Sequence, residues 1–395
     1  MANSLVSIDM ITREALRIAH EKCQFIGTVD RQYDDSFAKS GAKIGTALRV
    51  RKPNQYTRTQ GSRVMDVQDQ AEVNGTITVA TQDHVDMRFN SAELALTIDD
   101  ISKRYIEPAV AVLVSGIESD FLAYATKATY QVAGTAGTAI TSLATPGAAR
   151  AKINQQLAPK DNRYIQMDSV TMGGLVNGVA AYFNPSNDIS KQYREGLIAR
   201  TAMADYYENE RVFTQTIGSD VTGVTLNSFT LADGGSAITV TGGAATVVGQ
   251  VFTMAGVYDV HPETKAAYSH LKQFTLTSTS ATAWTFSPAI QSTGARQNVS
   301  ALPTTTAAIV FVGAASASYV QPLMYHKEAF QFVTADLPLM DDAHKCVRRV
   351  QDGLALRVWQ ASDIRNDELL MRIDILYGMA ALRPEWACRM IGAAN

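Results

Sequence analysis

Side chains of the types that perform acid–base chemistry stand close together near the end of the chain. The segment RIDILYGMAALRPEWACRM, residues 372–390, holds five of them among apolar neighbours: Arg372, Asp374, Tyr377, Arg383 and Glu385. A catalytic carboxylate needs a base, a nucleophile or a metal within reach, and none stands nearby in the sequence. Arg372 and Asp374 lie two residues apart, so they share one face of a strand and can pair with each other or across strands. We therefore interpret Arg372, Asp374, Arg383 and Glu385 as structural pairing charges, and we predict no catalytic residue.

Metal and cofactor motifs are also missing from the sequence. The six histidines are scattered and form neither HExxH nor another zinc-ligand spacing. The tripeptide His326-Lys327-Glu328 is the nearest approach to a charged constellation, and we interpret it as a polar cluster at the start of a strand. GAKIGTALR at 41–49 has two glycines but lacks the GK[ST] ending with which a Walker loop cradles phosphate. The sequence therefore predicts no metal, no cofactor and no enzyme activity.

The composition favours a protein that contacts other subunits. Of 395 residues, 46% are hydrophobic and 18% are charged, which is a low charged share for a soluble protein. Such a chain needs somewhere to bury apolar surface, and large subunit contacts provide it. The net charge of −3, from 35 basic and 38 acidic side chains, argues against a dedicated nucleic-acid binder.

Compartment signals indicate a reduced, intracellular setting. Cys23, Cys346 and Cys388 are far apart and form no CxxC pair, so we expect no disulfide framework. The first residues lack the basic and apolar regions of a secretory signal. No window approaches about 18 uninterrupted apolar residues, so we expect no membrane span.

Apolar residues at three- and four-residue steps predict the helices that position the rest of the chain. The amphipathic stretch 8–24 needs a surface on which to dock, and we expect that surface to belong to a neighbouring subunit. The strongest pattern, 98–128, contains Pro108, which predicts either a kink or a short helix followed by a long one that begins near the proline. A further helix is predicted over 145–157, followed by a short strand and a helix that Asp168 caps.

Alternating residues predict two strands, 46–53 and 76–89, at the ends of a long polar arm. One limb of this arm is basic and the other acidic, and eight residues are candidate contacts between subunits: Arg49, Arg51, Lys52, Arg58, Arg63, Asp66, Asp69 and Glu72. An isolated two-stranded ribbon is marginally stable in water, so we expect the arm to lie on a neighbouring subunit. Nucleic-acid binding by the basic limb is the alternative, weakened because Tyr56 is its only interleaved aromatic residue.

The composition changes between Val221 and Ser318, where only six charged residues occur and Thr, Ser, Ala, Val and Gly dominate. Short alternating runs separated by turn residues predict a small all-β barrel or sandwich. We interpret this segment as an inserted domain. A disordered tract is the alternative for such a composition.

The last part of the chain predicts three more strands, at 328–338, 353–360 and 369–378. After the third strand, Gly378 permits a bend, and the proline at 384 favours an extended backbone before it. We therefore expect the strand to end near Tyr377 and a last short strand to follow Pro384 in the same sheet.

Four stretches in this order resemble one family: the arm, the helix DDISKRYIEPAVAVLVSGIESDFLAYATK, the strand MYHKEAFQFVTADLP and the closing RIDILYGMAALRPEWACRM. The order is similar to that in the major capsid protein of tailed double-stranded-DNA bacteriophages, a fold also found in the floor of herpesvirus shells and in encapsulins. REGLIARTAMADYYENERV at 194–212 resembles the hairpin that precedes the end of that family's axial domain. The β-rich segment, with GQVFTMAGVYDVHPETKAAYSHLKQFTLTS and WTFSP, resembles the extra barrel-like domain of short-tailed, scaffold-dependent phage coat proteins.

One loop departs from these relatives. They use a long charged loop of the inserted domain to clasp a neighbouring capsomer, whereas LADGGSAITVTGG at 231–243 is short and contains only Asp233. A clasp that is weak, absent or placed elsewhere is therefore expected. Some members of the wider fold crosslink a Lys to an Asn, but no acceptor matches Lys52, and we predict no crosslink.

The resemblance implies an α+β fold of the tailed-phage and herpesvirus major capsid type, with an inserted small β-barrel-like domain. It implies six parts: an N-terminal arm with an amphipathic helix, an extended two-stranded loop, the spine helix of a peripheral domain, an axial domain, the inserted β domain, and return strands that complete the axial and peripheral domains. Their expected bounds are 1–35, 36–92, 93–130, 131–217, 218–320 and 321–395.

The resemblance also implies a function. It is that of a major capsid protein whose pentamers and hexamers form an icosahedral shell around packaged double-stranded DNA, through a scaffold-guided procapsid that expands on maturation. Expected partners are further copies of the chain, a scaffolding protein, a portal protein, the DNA without sequence specificity, and decoration proteins, with no membrane. The expected location is the virion, after assembly in the host cytoplasm. The alternatives are an encapsulin-like nanocompartment, a hydrolase or lyase, and a β-rich surface adhesin.

Overall fold

The computed structural model describes residues 8–34, 47–61, 65, 67–68, 73–90, 102–179, 204–227, 231–339, 345–351, 353–363, 365–366 and 368–394. The α-helices are α1 (Ile8–Lys22), α2 (Phe25–Thr28), α3 (Glu107–Ala128), α4 (Ala144–Gln155) and α5 (Ser169–Val179). The strands up to the middle of the chain are β1 (Asp30–Asp34), β2 (Ala47–Lys52), β3 (Val73–Thr78), β4 (Thr81–Asn90), β5 (Val132–Ala133), β6 (Arg163–Met167), β7 (Asp205–Glu208) and β8 (Thr214–Thr216).

The later strands are β9 (Thr225–Leu226), β10 (Ala237–Thr241), β11 (Val251–Val260), β12 (Ala267–Thr279), β13 (Ala283–Ser287), β14 (Ile309–Phe311), β15 (Ser318–Val320), β16 (Leu323–His326), β17 (Phe330–Ala335), β18 (Lys345–Gln351), β19 (Leu354–Asp363), β20 (Glu368–Ala381) and β21 (Ala387–Met390).

The chain divides into two compact units. The first contains 1–50, 74–121 and 330–382, and the second contains 51–73, 122–329 and 383–395.

A six-stranded sheet organises the first unit, in the order β1-β17-β20-β19-β18 with β4 also on β20. The strand β20 is central because β17, β19 and β4 all pair antiparallel with it. At the edge of the sheet, β1 runs parallel to β17. The sheet therefore depends on β20, the strand that contains the RIDILYG sequence.

The helix α1 docks on the sheet of its own unit, against β18 and β19. Its apolar stripe is buried: Ile11, Ala15, Leu16, Ile18 and Ala19. The amphipathic helix predicted over 8–24 is confirmed, but its apolar face has a partner within the subunit and not, as expected, on a neighbouring one.

The long helix begins in one of the two ways that Pro108 predicted. A short π-helical turn, Ser102–Ile106, precedes α3, and Pro108 is the second residue of α3. Proline is tolerated in the first turn because the N–H groups there have no intrahelical acceptor. Among the described residues, Arg104–Ala128 is long and apolar enough to cross a membrane by length and composition alone, yet 56% of its apolar window is buried inside the fold.

The strand β20 is longer than predicted. It continues through Gly378 to Ala381, so the predicted end at Tyr377 and the bend at Gly378 are wrong. Glycine stands here for a different reason, since a Cβ atom at 378 would overlap the backbone carbonyl oxygen of Thr78. Glycine inside a strand often marks such a close backbone approach.

A five-stranded sheet in the order β5-β21-β16-β6-β7 lies in the second unit. The strand β21 pairs with β16 and β5, so the prediction that it joins the sheet of β20 is wrong. Pro384 instead opens a 3₁₀ turn, Pro384–Trp386, which redirects the chain before β21. Glu385 therefore lies in this turn and Arg383 lies directly before it, and neither residue is on a strand.

The predicted elements around this sheet are present. α4 and β6 correspond to the helix predicted over 145–157 and to the short strand after it. The carboxylate of Asp168 caps α5 by accepting a hydrogen bond from the N–H of Thr171, at 3.0 Å. Of the segment compared with a hairpin, 194–203 lies outside the described residues, and β7 follows it.

Six antiparallel strands of the second unit close into a barrel, in the order β14-β11-β12-β13-β10-β9. The end strands meet at the bridge between Thr225 and Ala308, flanked by hydrogen bonds from Leu226 N–H to the carbonyl of Ala307 and from Ile309 N–H to that of Val224, both 2.9 Å. Five aromatic side chains fill the interior: Phe252, Phe274, Trp284, Phe286 and Phe311. The strands predicted for this segment are confirmed as a barrel with a packed core, and its role as an inserted domain stays a prediction.

The crossing at Gly378 gives a first test. We expect Gly378→Ala to lower the free energy of unfolding by about 1–3 kcal/mol, because the added methyl group must displace backbone. Gly116→Ala is the matched control, since a Cβ there meets no atom within 4 Å, and it should stabilise α3 by up to about 1 kcal/mol. Urea unfolding measures both changes. Equal effects of the two substitutions would contradict the crossing.

Candidate subunit interface

The arm predicted from the sequence begins and ends at a two-stranded sheet of β2 and β3. The prediction of one arm strand over 76–89 is wrong, because this stretch divides into β3 and β4, and β4 pairs with β20 in the central sheet. Between β2 and β3, Gln68 joins the two limbs. Its side-chain oxygen accepts from the N–H of Thr57 at 2.8 Å, and its amide group donates to the carbonyl of Thr57 at 2.6 Å. Local hydrogen bonds thus hold the limbs together without a hydrophobic core.

The eight predicted contact residues are only partly described. Arg49, Arg51 and Arg58 are exposed and Lys52 is half-buried, and Arg58 donates to the side-chain oxygen of Gln60 at 2.6 Å. The other four lie outside the described residues: Arg63, Asp66, Asp69 and Glu72. Contact between these residues and another subunit stays a prediction.

Three large apolar side chains of the arm are exposed, a feature that was not predicted from the sequence. Tyr56 is 57% exposed, Val67 is 78% exposed and Met65 is 85% exposed. A signal was available, because Met65 and Val67 alternate with polar residues in a segment that lacks other core residues. Exposed apolar side chains such as these gain free energy when another molecule covers them.

Charged side chains on one face of β20, the RIDILYG strand, form a ladder of ion pairs with side chains on β19 and β4. The pair at the centre of this ladder is buried. Asp374 is fully buried and receives both a 3.0 Å hydrogen bond from Nε of Arg357 and a second one from Nη2. These two residues stand opposite each other on β20 and β19. Gln82 on β4 adds a hydrogen bond to Asp374 at 3.0 Å, and Arg357 also donates to the carbonyl of Pro338 at 2.7 Å. A bidentate pair with its remaining donors satisfied is the arrangement in which burial of a charge is tolerated.

The ladder continues towards solvent on the same face. Nε of Arg372 lies 3.4 Å from Asp374 and 3.8 Å from Asp86 on β4, and Asp86 lies 3.0 Å from His84. The structure thus brings Arg372 and Asp374 together. It places Arg383 elsewhere, with its guanidinium 4.1 Å from the ring centre of Trp386. Within the described ranges, no group of three His, Cys, Asp or Glu side chains could hold a metal ion.

Tyr377 uses the opposite face of β20. Its hydroxyl donates to the carboxylate of Asp83 at 2.9 Å, and its ring stacks on Phe332 with centres 5.5 Å apart. Burial, together with the hydrogen bond to Asp83, raises the pKa of the Tyr377 phenol well above its usual range. The phenol is therefore a permanent donor at physiological pH, suited to holding β4 and unsuited to proton transfer.

A buried carboxylate on α3 holds the start of α2. Glu118 is fully buried, and one of its oxygens accepts from the N–H groups of Gln24, Phe25 and Ile26, at 2.6, 2.8 and 3.3 Å. The ring of Phe25 packs on Phe121 one turn further along α3, with centres 4.9 Å apart. A long-range carboxylate therefore caps a helix that has no side-chain cap of its own.

Buried polar contacts also join the barrel strands to the rest of the second unit. Asp259 on β11 lies 2.8 Å from Nζ of Lys272, 3.5 Å from Nε2 of His270, and accepts from the amide group of Gln156 at 3.1 Å. The ammonium group of Lys272 also lies over the ring of Tyr130, at 5.1 Å. Asp259, His270 and Lys272 all stand on barrel strands, so the hydrogen bond from Gln156 and the contact with Tyr130 are the ones that orient the barrel in the second unit.

Arg389 of β21 is the second such joint. Its fully buried guanidinium donates to the carbonyls of Thr129 and Gly249, both at 2.8 Å, to Oε1 of Gln321 at 3.0 Å and to Oγ1 of Thr275 at 3.1 Å. Burial lowers the pKa of Arg389 to about 9, because all four acceptors are neutral. Sequence spacing does not reveal this role, since the four acceptors are far from Arg389 along the chain.

Asp233, the single charge of the short loop, binds within the barrel. Its carboxylate accepts from the N–H and hydroxyl of Ser292, both at 2.8 Å, and from the hydroxyl of Thr293 at 2.7 Å. Hydrogen bonds from the Ser292 backbone and from both hydroxyls lower the pKa of Asp233. The charge is therefore engaged inside the subunit.

An exposed arm, buried ion pairs that brace sheets, and charges without catalytic partners are features of a structural protein that assembles with copies of itself. The comparisons identify its family. The chain matches the family described as P22 coat protein - gene protein 5 over residues 71–392, and it therefore belongs to that family.

Other comparisons give distant similarities. Solved structures similar to the chain include the capsid of Ralstonia phage GP4, with 8% identity, TM-score 0.48 and coverage of 93% of this chain and 87% of that chain. Mycobacterium phage Che8 gives 9% identity, TM-score 0.46 and coverage of 93% and 90%. The CUS-3 coat protein I-domain is 28% identical over 22% of this chain and 93% of that chain, with TM-score 0.20. No curated protein sequence matches the chain.

Membership of this family decides among the alternatives that the sequence left open. The protein is a major capsid protein of the tailed-phage type, with the predicted α+β fold, and it forms an icosahedral shell by self-assembly. It is a structural protein of the virion and not an enzyme. The charges at 372–390 accordingly serve the shape of the subunit.

The buried pair on β20 gives a second test. We expect Asp374→Ala to cost about 3–5 kcal/mol in the free energy of unfolding, because it leaves the buried guanidinium of Arg357 without its partner. Asp86→Ala is the matched control in the same ladder; Asp86 is 58% exposed, and its loss should cost at most about 1 kcal/mol. Chemical denaturation of the subunit measures both. A cost for Asp374→Ala no larger than that for Asp86→Ala would contradict a structural role.

The cap on α2 gives a third test. Glu118→Gln replaces an anionic acceptor by a neutral amide, and we expect a loss of about 1–3 kcal/mol that is concentrated at the start of α2. Hydrogen exchange should accelerate at Phe25 and Ile26 more than elsewhere. Asp120→Asn, an exposed change two residues along α3, is the control and should leave this exchange unchanged. Uniform acceleration throughout the first unit would contradict the cap.

Proposed function

We propose that the arm between β2 and β3, residues 53–72, lies across a neighbouring subunit and is the main lateral contact of the shell. The observation that carries this proposal is the exposure of Tyr56, Met65 and Val67 in the segment that joins the two strands of the β2–β3 ribbon. A ribbon of this kind is marginal alone and gains stability when its apolar residues are covered. The eight contact residues predicted from the sequence flank these apolar residues along the chain, and in this proposal they supply the polar rim that subunit interfaces have.

Weak arm contacts are sufficient in a closed lattice. Each subunit gives its arm to one neighbour and receives an arm from another, so the number of contacts multiplies with the shell. Exposed guanidinium groups such as those of Arg49 and Arg58 add salt-dependent selectivity, because surface ion pairs are screened by added salt. The first steps of assembly should therefore be reversible, and the closed shell should be stable.

The domain organisation is part of the same proposal. The bounds 1–35, 36–92, 93–130, 131–217, 218–320 and 321–395 give an arm, an extended loop, a spine helix, an axial domain, an inserted β domain and return strands. A closed barrel leaves no free sheet edge for strand addition, so the inserted domain acts through side chains and loops. Since the carboxylate of Asp233 is engaged by Ser292 and Thr293, a clasp through this loop is not part of the proposal.

The remaining partners follow from the family. A scaffolding protein guides assembly of a procapsid in the host cytoplasm, a portal protein occupies one vertex, and the shell expands when DNA is packaged. A net charge of −3 suits a wall that faces double-stranded DNA without binding it by sequence. Decoration proteins are further candidate partners on the outer surface.

The arm contact is tested by placing charge on its apolar residues. We expect Met65→Asp with Val67→Asp to abolish particle formation, because two carboxylates in a covered apolar contact are left without partners. Met65→Leu with Val67→Ile is the matched control, which keeps the apolar surface and should assemble. Particle yield by sedimentation and circular dichroism of the unassembled subunit measure the outcome. Normal particles from the Asp variant, or loss of the fold in the unassembled subunit, would overturn the proposal.

A further inference from the structure

His326 lies in a closed environment at the end of β16. Its side chain is 3% exposed, and Nδ1 accepts a hydrogen bond from the N–H of Glu328 at 3.2 Å. An imidazole that accepts at Nδ1 is neutral and carries its proton on Nε2. The ring also meets the ring of Trp386 edge-on, with centres 5.4 Å apart.

Trp386 connects His326 to the second turn of this region. The guanidinium of Arg383 lies on its ring, 4.1 Å from the ring centre, and its indole N–H donates to the carbonyl of Gln156 at 3.3 Å. The backbone N–H of Arg383 donates to the carbonyl of Ala329 at 3.1 Å. Two 3₁₀ turns, 327–329 and 384–386, are thereby tied side by side.

These two turns stand at a particular place along the chain. The first directly precedes β17 and the second follows β20, so they bracket the whole segment from β17 to β20. Two directional contacts described above join the turns: the backbone hydrogen bond from Arg383 to Ala329 and the edge-on contact of His326 with Trp386. The Arg383 guanidinium lies on the same Trp386 ring within the second turn. A change in the charge of one member therefore affects the whole set.

We propose that His326 is a pH-sensitive clasp, whose protonation in mildly acidic solution loosens the two turns. Protonation turns Nδ1 from an acceptor into a donor that faces the N–H of Glu328, so this hydrogen bond is lost. It also places a second cation on the Trp386 ring, which already carries that of Arg383. Four charged groups face the imidazole: Glu328 and Asp161 favour its protonation, and Arg163 and Arg383 oppose it.

The direction of the pH dependence follows from this environment. Burial lowers the pKa of His326 below its ordinary value of 6.5, with Arg163 and Arg383 acting in the same direction against the two carboxylates. The unfolded chain therefore takes up a proton near pH 6.5 that the folded chain resists. Stability is unaffected by His326 above pH 6.5 and decreases as the pH falls below it.

Fluorescence of Trp386 tests the clasp in the unassembled subunit. Imidazolium quenches indole emission, so emission should fall on acidification, with a midpoint below pH 6.5. Hydrogen exchange in the two turns, corrected for its intrinsic pH dependence, should become about tenfold faster over the same range, as expected for the loss of one hydrogen bond. Trp386→Phe assigns the signal, because Trp284 and Trp359 remain in that variant.

His326→Asn is the deciding variant, since its side-chain oxygen replaces Nδ1 as an acceptor and does not titrate. We expect it to keep the hydrogen-exchange protection of the two turns and to lose the acid transition. Glu328→Gln removes a carboxylate that favours the imidazolium and should shift the midpoint to lower pH, which tests the clasp if the Asn variant does not fold. An unchanged transition in His326→Asn, or an unchanged midpoint in Glu328→Gln, would overturn the proposal. Neither outcome depends on the arm contact, because both are read within one subunit.

Discussion

A carboxylate buried in the middle of a sheet is the constraint on which the first unit of this coat protein depends. Asp374 sits on β20, the strand with which three others pair, and it is fully buried. An uncompensated charge there would cost several kcal/mol, so the sheet is stable only when β19 brings Arg357 opposite and β4 brings Gln82 alongside. Because a slip of one residue would move Arg357 to the other face, this pair also selects one register.

Buried polar contacts also set the orientation of the barrel within the second unit. Apolar contact alone permits sliding, whereas buried hydrogen bonds have direction. Asp259 with Gln156, and Arg389 with its four neutral acceptors, supply that direction at two places. A subunit whose parts are held in this way can present its arm in a constant position, which a regular shell requires.

Local patterns in the sequence predicted much of the fold, and long-range contacts were beyond them. The helical stripe of 8–24, the effect of Pro108, the cap at Asp168 and the strands of the barrel all depend on neighbours a few residues away. Gly378 was misinterpreted because its meaning comes from Thr78, three hundred residues earlier along the chain. β21 was assigned to the wrong sheet because a short turn can send a strand in either direction.

The candidate site likewise contains some features that local sequence patterns predict and others that depend on long-range contacts. Residue types and spacing were sufficient to interpret Arg372 and Asp374 as pairing charges, but the main partner of Asp374 is Arg357 on another strand, and sequence spacing contains no register. Exposure of Met65 and Val67 and the joint at Arg389 likewise depend on what the folded chain leaves uncovered or encloses.

The central claim is that this subunit builds a closed shell in which each arm covers a neighbour. Electron cryomicroscopy of particles formed by the full-length chain with its scaffolding protein tests that claim most directly. The account predicts icosahedral particles in which density for residues 53–72 of one subunit lies on an adjacent subunit, which covers Met65 and Val67. Monomers that fail to assemble under any condition, or particles in which the arm folds back on its own subunit, would contradict it.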